Sequence, residues 1–394
     1  MEYFVNEYTE VPEDILESIR ETLELYVLVI KSNAPLGIPK AQTSTGQLKS
    51  YSGLYIGYGG KLFTTWKLSQ AFNDYYEDFE SMKKVVKDNM DQLESDSSTF
   101  FMGKLGILSI LAVSQQSGPI VREILDSVPL TFKEFELLYG AAGTLFVLGF
   151  LIKHWPDVPF QGEIVQKIKI ICKEIVDKSE RRDIIMHKFP NGSRGKYYLG
   201  AAHGIMGIVH VMLQVRAFIP EYEEVIRSTI EFILSFQRPS GNFPVAVNRN
   251  EDDTLHFCHG SPGAIPLLCL AYKCFNDPIF LESALKAGED LWTRGLLRKG
   301  RGLCHGVSGN GYSFLALYSA TNDSKWLDRA RLFAYIMGFD EDYEKSVRSY
   351  TDPQRHKQGE PDFPYSLMEG LSGSVCYLQD CLEPSNASFP GYDL

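Results

Sequence analysis

The sequence predicts an all-α fold in which seven inner helices and seven outer helices form a closed toroid. The first observation behind this prediction is a Gly-x-x-Gly element that precedes an apolar run seven times. The copies begin at Gly57, Gly103, Gly140, Gly204, Gly260, Gly306 and Gly370. Glycine at the start of a helix allows a positive φ or close packing, and a fixed element at roughly regular intervals marks a repeat architecture.

The second observation is an alternation between two kinds of helical segment. The runs that follow each Gly-x-x-Gly carry few charges, which is typical of helices surrounded by protein. The segments between them are amphipathic, and one of them repeats apolar residues at helical spacing through Leu281, Ala284, Leu285, Gly288, Leu291 and Trp292. We therefore expect inner helices to alternate with half-solvated outer helices along the chain.

The organisation of the chain favours a single domain over residues 1–394. Length alone would favour two or three domains of roughly 150 residues. No Ser/Gly/Pro linker or composition break interrupts the repeats, however, and a ring cannot be cut into independent halves. We expect an N-terminal segment over residues 1–49 and a short C-terminal tail over 383–394 as its edges.

Composition and charge exclude several classes of function. Lys and Arg number 39 against 50 Asp and Glu, and this formal charge of −11 disfavours a general nucleic-acid-binding protein. The first residues lack a secretory signal, and the longest uncharged run, Leu137 to Ile152, is short for a membrane span of about 20 residues. We expect a cytoplasmic protein, and leave a nuclear or peripheral plasma-membrane location open.

Two of the repeats carry residues suited to a soft metal ion. Their Gly-x-x-Gly elements are preceded by Cys258-His259 and by Cys304-His305, and the other five repeats have no cysteine at this position. If the two turns face each other, Cys258, Cys304 and His305 provide three ligands. Zinc favours thiolate and imidazole, and a catalytic zinc site typically has three protein ligands and an open fourth position. The alternative is that the cysteines are small packing residues shared by duplication.

The seven cysteines as a set indicate an intracellular redox environment. Their number is odd and the chain is long, so reduced thiols are expected rather than a disulfide framework. Four of them, Cys269, Cys274, Cys376 and Cys381, lie within or just after apolar runs and are interpreted as buried thiols.

At these motifs the chain resembles a known family. The seven repeats, Ala201-Ala202-His203-Gly204, both Cys-His-Gly turns and the ending Phe389-Pro-Gly-Tyr-Asp-Leu394 are similar to the LanC-like proteins of eukaryotes, relatives of the bacterial lantibiotic cyclases. The resemblance implies an (α/α)7 barrel with one Zn²⁺ held by Cys258, Cys304 and His305. His259, where the bacterial relatives have tyrosine, places the chain with the eukaryotic branch.

The resemblance also implies an activity. The eukaryotic branch adds the thiol of glutathione to dehydroalanine or dehydrobutyrine residues of proteins and peptides, which forms a thioether of the lanthionine type. His203 corresponds to the histidine with an acid–base role, while His259 and Glu369 are further candidates for that role. An imidazole titrates near the required pH.

Glutathione contacts follow from the same resemblance. They are Lys299 and the segment made of Gly359, Glu360, Pro361 and Asp362. Two family arginines are missing, since no arginine precedes Arg20 and Gly359 stands where the second is expected. Zinc binding does not depend on these arginines, whereas glutathione affinity or substrate choice does.

Two other functions remain open on the sequence. The first is a zinc-stabilised, glutathione-binding scaffold or ligand sensor without turnover, with SH3-type signalling partners. Pro156–Pro159 and Pro361–Pro364 have the P-x-x-P spacing of SH3 ligands but lack the flanking arginine. The second is a zinc prenyltransferase, which seven repeats and the absence of a ligating aspartate motif disfavour.

Overall fold

Helices dominate the computed structural model, which describes residues 3–8, 10–33, 40–42, 48–50, 52–90, 98–189, 195–350 and 363–394. These residues contain fifteen α-helices. Their bounds are α1 Ile15–Asn33, α2 Tyr58–Ala71, α3 Tyr76–Asp88, α4 Lys104–Gln115, α5 Gly118–Ser127, α6 Ala141–His154, α7 Gln161–Asp177, α8 Ile205–Gln214, α9 Glu223–Leu234, α10 Ser261–Phe275, α11 Pro278–Arg294, α12 Val307–Thr321, α13 Ser324–Phe339, α14 Glu341–Ser349 and α15 Leu371–Leu382. Two short strands, β1 Lys40–Gln42 and β2 Leu48–Ser50, pair antiparallel.

Every predicted Gly-x-x-Gly element opens a helix. Its first glycine is the N-cap of α2, α4, α6, α8, α10, α12 and α15. In five repeats a Cβ on the second glycine would lie closer than 3.0 Å to the carbonyl oxygen six residues earlier; the pairs are Gly106 with Phe100, Gly143 with Leu137, Gly207 with Ala201, Gly309 with Leu303 and Gly373 with Leu367. Glycine is needed there because the helix starts directly against its own preceding turn.

Burial separates the two kinds of helix as predicted. In the inner helix α6 every residue from Ala141 to Leu151 is buried. The outer helix α7 buries one stripe, formed by Ile164, Ile168, Ile171, Cys172 and Ile175, and leaves its other side to solvent. No helix among the described residues is long and apolar enough to cross a bilayer. All seven cysteines are free thiols.

The buried face of α11 differs from the apolar stripe that the sequence indicates. Its fully buried residues are Phe280, Ser283, Ala284, Ala287, Gly288 and Leu291. Leu281, Leu285 and Trp292 are only half-buried at the edge of this face. Small residues at the centre of the buried face allow helices to pack closely. Ser283 and Ala287 are therefore buried more completely than Leu281, Leu285 and Trp292.

Clustering of contacts divides the chain into two compact units. The first comprises Met1–Ala34, Gln237–Val245 and Asn250–Pro390, and the second comprises Pro35–Phe236, Ala246–Arg249 and Gly391–Leu394. Within the first unit, the inner helix α12 packs against its neighbours α10 and α15. Within the second, α2, α4, α6 and α8 pack in succession, and each carries its own outer helix.

The N-terminal helix belongs to the core of the first unit. α1 packs against α15 and α13, with Ile15, Ile19, Leu23 and Tyr26 buried. Ahead of it, the backbone N–H of Phe4 donates to the carbonyl of Leu296 at 2.7 Å. The outer partner of the last inner helix therefore comes from the start of the chain, in the stretch that the sequence assigned to an edge.

The C-terminal tail is tied into the second unit. Tyr392 is buried and stacks on the ring of His210, with centroids 3.9 Å apart. The Nε2 of His210 lies 2.8 Å from the Asp393 carboxylate. Gly391 has a positive φ of 74°, and a Cβ there would collide with the ring of Phe101, so the motif needs glycine at this position.

The close approach at the second glycine is testable in a repeat without cysteine. Gly143→Ala should lower the free energy of unfolding by roughly 1–3 kcal/mol, because the new methyl group overlaps the backbone of Leu137. The matched control is Gly162→Ala in the first turn of α7, where no atom lies within 4 Å of the added Cβ. That control should be neutral or slightly stabilising. Equal urea midpoints for the two variants would contradict the packing argument.

A single domain over residues 1–394 stays a prediction, and chain cleavage tests it. A cut between Ser240 and Gly241 removes α1 from the first unit and residues 391–394 from the second. We expect neither fragment to fold alone, because each would expose helix faces that the missing segment covers. Far-ultraviolet circular dichroism and urea unfolding of the separate fragments provide the measurement. Two soluble fragments with cooperative unfolding would contradict the single-domain organisation.

Candidate metal centre and acid–base pair

The turns before the capping glycines place equivalent residues of neighbouring repeats side by side. Cys258 and Cys304 each stand two positions before an N-cap glycine. The backbone N–H of Cys258 donates to the carbonyl of Cys304 at 3.3 Å, and that of Cys304 donates to Met368 at 2.8 Å. The repeat therefore explains why two thiols 46 positions apart in sequence meet.

The structure brings the three predicted metal ligands together. The Cys258 and Cys304 sulfurs and a ring nitrogen of His305 all lie within 4.8 Å of one another. Around a tetrahedral zinc ion with Zn–S near 2.3 Å and Zn–N near 2.0 Å, such atoms stand roughly 3.5–3.8 Å apart. Small side-chain movements would close the difference. Two sulfurs and one imidazole are a donor set that zinc prefers, so these residues fit the ion.

The burial of Cys304 also favours a bound cation. A hydrogen bond with Cys258 and complete burial raise the pKa of the Cys304 thiol well above its ordinary value. A buried thiolate at Cys304 therefore needs a positive charge nearby. A bound divalent ion provides that charge and deprotonates coordinating thiols.

The two Cys-His-Gly turns are not equivalent. Gly306 caps α12 with an extended φ of −135°, whereas Gly260 caps α10 with a positive φ of 113°. A Cβ on Gly260 would collide with the carbonyl of Thr254, so this turn needs glycine. His305 joins the candidate metal ligands, and His259 stays outside them.

A histidine that the sequence analysis passed over lies beside this centre. His256 is 6% exposed, and its ring centroid is 6.0 Å from that of His305. Its Nε2 is buried without a hydrogen-bond partner among the described residues. Burial lowers the pKa of His256 well below its ordinary value, and the charge of nearby Lys299 lowers it further. The ring is therefore neutral at physiological pH.

Lys299, the predicted glutathione contact, is half-buried in the segment that leads to Cys304. Its influence on the His256 ring places it in the neighbourhood of the metal ligands. Two other basic residues of this patch have local partners, because Arg294 pairs with Asp290 and Arg298 bonds the carbonyl of Ser346. The other predicted contacts, Gly359, Glu360, Pro361 and Asp362, lie outside the described residues.

His203 forms an acid–base pair with a residue that the sequence analysis missed. Its Nδ1 lies 3.0 Å from the carboxylate of Glu136, which is 4% exposed. The same carboxylate accepts backbone N–H bonds from Leu138 at 2.9 Å and Tyr139 at 2.5 Å. Those bonds hold it as an acceptor, so Nδ1 of His203 carries a proton, and Nε2 is the ring nitrogen at which a proton can be exchanged.

The acid–base pair and the candidate metal ligands belong to different compact units. His203 and Glu136 are in the second unit, whereas the metal ligands and Lys299 are in the first. Glu369, the third acid–base candidate, also belongs to the first unit. It lines a cavity of about 530 Å³ together with Tyr26, Arg301 and Phe339.

Burial and the charge of Glu136 raise the pKa of the neighbouring Glu134 in the second unit.

A sequence signal existed for only some of these residues. Cys258 and Cys304 repeat a motif, and His203 is identified by resemblance. Glu136 sits four positions before an N-cap glycine, the place of His256 in a later repeat. A periodic alignment of all seven turns would have drawn attention to both positions, although not to their partners.

Comparison with known proteins identifies relatives of this chain. A family model described as lanthionine synthetase C-like protein matches residues 50–394. Glutathione S-transferase LANCL1 of Danio rerio is 33% identical over 362 residues, which cover 86% of this chain and 84% of that protein.

Solved structures show the fold. Nisin cyclase superimposes with a TM-score of 0.59 at 15% identity, covering 94% of each chain, and confirms the predicted fold class. An unsaturated glucuronyl hydrolase specific for heparin reaches a TM-score of 0.50 at 10% identity, covering 95% of this chain and 97% of its own. Given the family model and the relative at 33% identity, the chain belongs to the lanthionine synthetase C-like family.

Proposed function

We propose that the protein binds one zinc ion through Cys258, Cys304 and His305 and adds the thiol of glutathione to dehydroalanine or dehydrobutyrine residues. The observation that carries the proposal is the convergence of two thiols and one imidazole from adjacent repeats. The name of the zebrafish relative, a glutathione S-transferase, supports glutathione as the thiol. Nisin cyclase carries no further weight here, because at 15% identity it shows only the fold.

The proposed reaction adds S–H across a carbon–carbon double bond. The sulfur bonds to the β-carbon, the π electrons move toward the α-carbon as an enolate, and a proton then adds to that carbon. The thiol loses one proton and the α-carbon gains one, so no oxidant or reductant is needed. A zinc ion held by Cys258, Cys304 and His305 would lower the pKa of a thiol that binds to it.

In this proposal, residues of the chain bind the metal ion, transfer the proton and bind the substrate. Cys258, Cys304 and His305 hold the ion and leave a fourth position for the thiol. His203 delivers the proton from Nε2, while Glu136 fixes the ring and the tautomer at Nδ1. Lys299 attracts a carboxylate of the anionic tripeptide, which an otherwise acidic protein would repel.

Metal content tests the ligand assignment. We expect about one zinc ion per chain in the wild type, and Cys304→Ala should lose it, because three protein ligands are the usual minimum for a catalytic zinc site. The matched control is Cys172→Ala, which removes an equally buried thiol from α7 in the second unit. Plasma emission spectrometry gives the zinc content, and circular dichroism checks that both variants fold. A Cys304→Ala protein with full zinc would contradict the assignment.

Turnover tests the roles of His203 and Lys299 separately. His203→Ala should lower kcat by roughly 10²–10⁴-fold without loss of zinc, as expected for a general acid. Lys299→Ala should instead raise the KM for glutathione and leave kcat nearly unchanged, because it acts in binding. Mass spectrometry of the adduct on a dehydroalanine peptide provides the rates. If the zinc-loaded wild type forms no adduct above the uncatalysed rate on several such peptides, a non-catalytic scaffold or sensor becomes the better account.

A further inference from the structure

The residue four positions before the capping glycine closes the turn with its side chain in three of the seven repeats, and in three others it is glycine. In three repeats its polar side chain accepts the N–H of the residue three positions later; these pairs are Thr99 with Met102 at 3.2 Å, Glu136 with Tyr139 at 2.5 Å and Ser366 with Glu369 at 3.2 Å. The hydroxyl of Thr99 also donates to the carbonyl of Leu138 in the next repeat at 2.6 Å. Glu136 closes its turn and also reaches His203 of the next repeat.

His256 occupies this same position, but its side chain does not close the turn. The N–H of His259 donates instead to the main-chain carbonyl of His256 at 3.1 Å, and the N–H of His256 donates to the carbonyl of His259 at 2.9 Å. The backbone alone satisfies this turn. The imidazole is therefore available for another partner, although it is almost completely buried.

The position of the ring indicates where that partner lies. The residue four positions before the capping glycine of one repeat faces the residue directly before the capping glycine of the next repeat, as Glu136 faces His203. By the same relation His256 faces His305, with ring centroids 6.0 Å apart. His256 is nevertheless not among the candidate metal ligands. Its buried Nε2 has no partner among the described residues, and native proteins rarely leave such an atom unsatisfied.

The geometry points to His256 as a specificity residue for the thiol substrate: its Nε2 hydrogen-bonds an amide that flanks the thiol-bearing residue of glutathione. This inference rests on the proposed function. The carbon that carries the thiol side chain in glutathione has an amide on each side. A thiol beside His305 brings these amides close to His256, whose ring centroid lies 6.0 Å from that of His305, and imidazole nitrogens can bond an amide. A thiol without amides gains nothing from His256.

Two isosteric substitutions separate this role from a structural one. His256→Gln places an amide nitrogen near the position of Nε2, whereas His256→Asn reaches only the position of Nδ1. Both are polar and neutral, so they differ in reach and not in charge. We expect His256→Asn to bind glutathione roughly 10-fold more weakly, the loss of about one buried hydrogen bond, and His256→Gln to stay within about threefold of the wild type.

The readout is equilibrium binding, which needs no turnover. Cobalt-substituted protein is titrated with glutathione and, separately, with 2-mercaptoethanol, and the sulfur-to-cobalt charge-transfer absorption reports the bound thiol. The affinity for 2-mercaptoethanol should be the same in the wild type and both variants. Cobalt content, measured before each titration, should also be unchanged.

Several outcomes would overturn the inference. Equal weakening of both thiols, or loss of metal from His256→Asn, would assign His256 to support of the metal centre. Unchanged glutathione affinity in both variants would show that Nε2 does not contact the tripeptide. A wild type that binds both thiols equally would refute selection by His256 and leave the proposed zinc site intact. A metal-loaded wild type that binds neither thiol would remove the proposed function together with this inference.

Discussion

In five of the seven repeats the inner helix closely approaches its own preceding turn, and this contact helps to determine where the functional side chains lie. A second glycine without a Cβ lets the helix begin against the carbonyl six residues upstream. This contact fixes a tight turn of the same length before each of these five helices. Every candidate functional residue with a described position at these turns stands one, two or four places before a capping glycine. A methyl group at the second glycine would displace that turn and everything it carries.

Repetition converts this local constraint into a site. Because neighbouring turns are hydrogen-bonded to each other, as Cys258 is to Cys304, equal positions of successive repeats become spatial neighbours. The same relation yields two different chemistries. In the second unit it pairs a carboxylate with an imidazole, Glu136 with His203, and in the first unit it gathers thiols and an imidazole.

The sequence was sufficient to predict the helical repeat and the clustering of Cys258, Cys304 and His305, because both follow from periodic patterns. Glycines mark the helix starts directly, and two cysteines at one repeat position must meet if the repeats are adjacent. The sequence did not reveal that α1 packs against α15, a contact between the first and the last helix of the first unit. Nor could it show that Glu136 is buried against His203, since a charged residue before a helix is usually solvated.

The two Cys-His-Gly turns show a further limit of sequence reasoning. They are nearly identical in sequence, yet Gly260 adopts a positive φ and Gly306 does not. Only His305 joins the candidate ligands, so chemically equal residues acquire different roles from backbone conformation. Composition and spacing treat His259 and His305 alike, so the sequence alone does not explain why the structure places only His305 with the two thiols.

The central claim is that Cys258, Cys304 and His305 form an open zinc site that accepts a thiol. X-ray absorption at the zinc edge tests it most directly, because it counts sulfur ligands at about 2.3 Å and nitrogen or oxygen ligands at about 2.0 Å. The account predicts two sulfurs and at least one nitrogen in the protein as isolated, and a third sulfur after glutathione is added. A shell of nitrogen and oxygen alone, or a sulfur count that glutathione leaves unchanged, would contradict it.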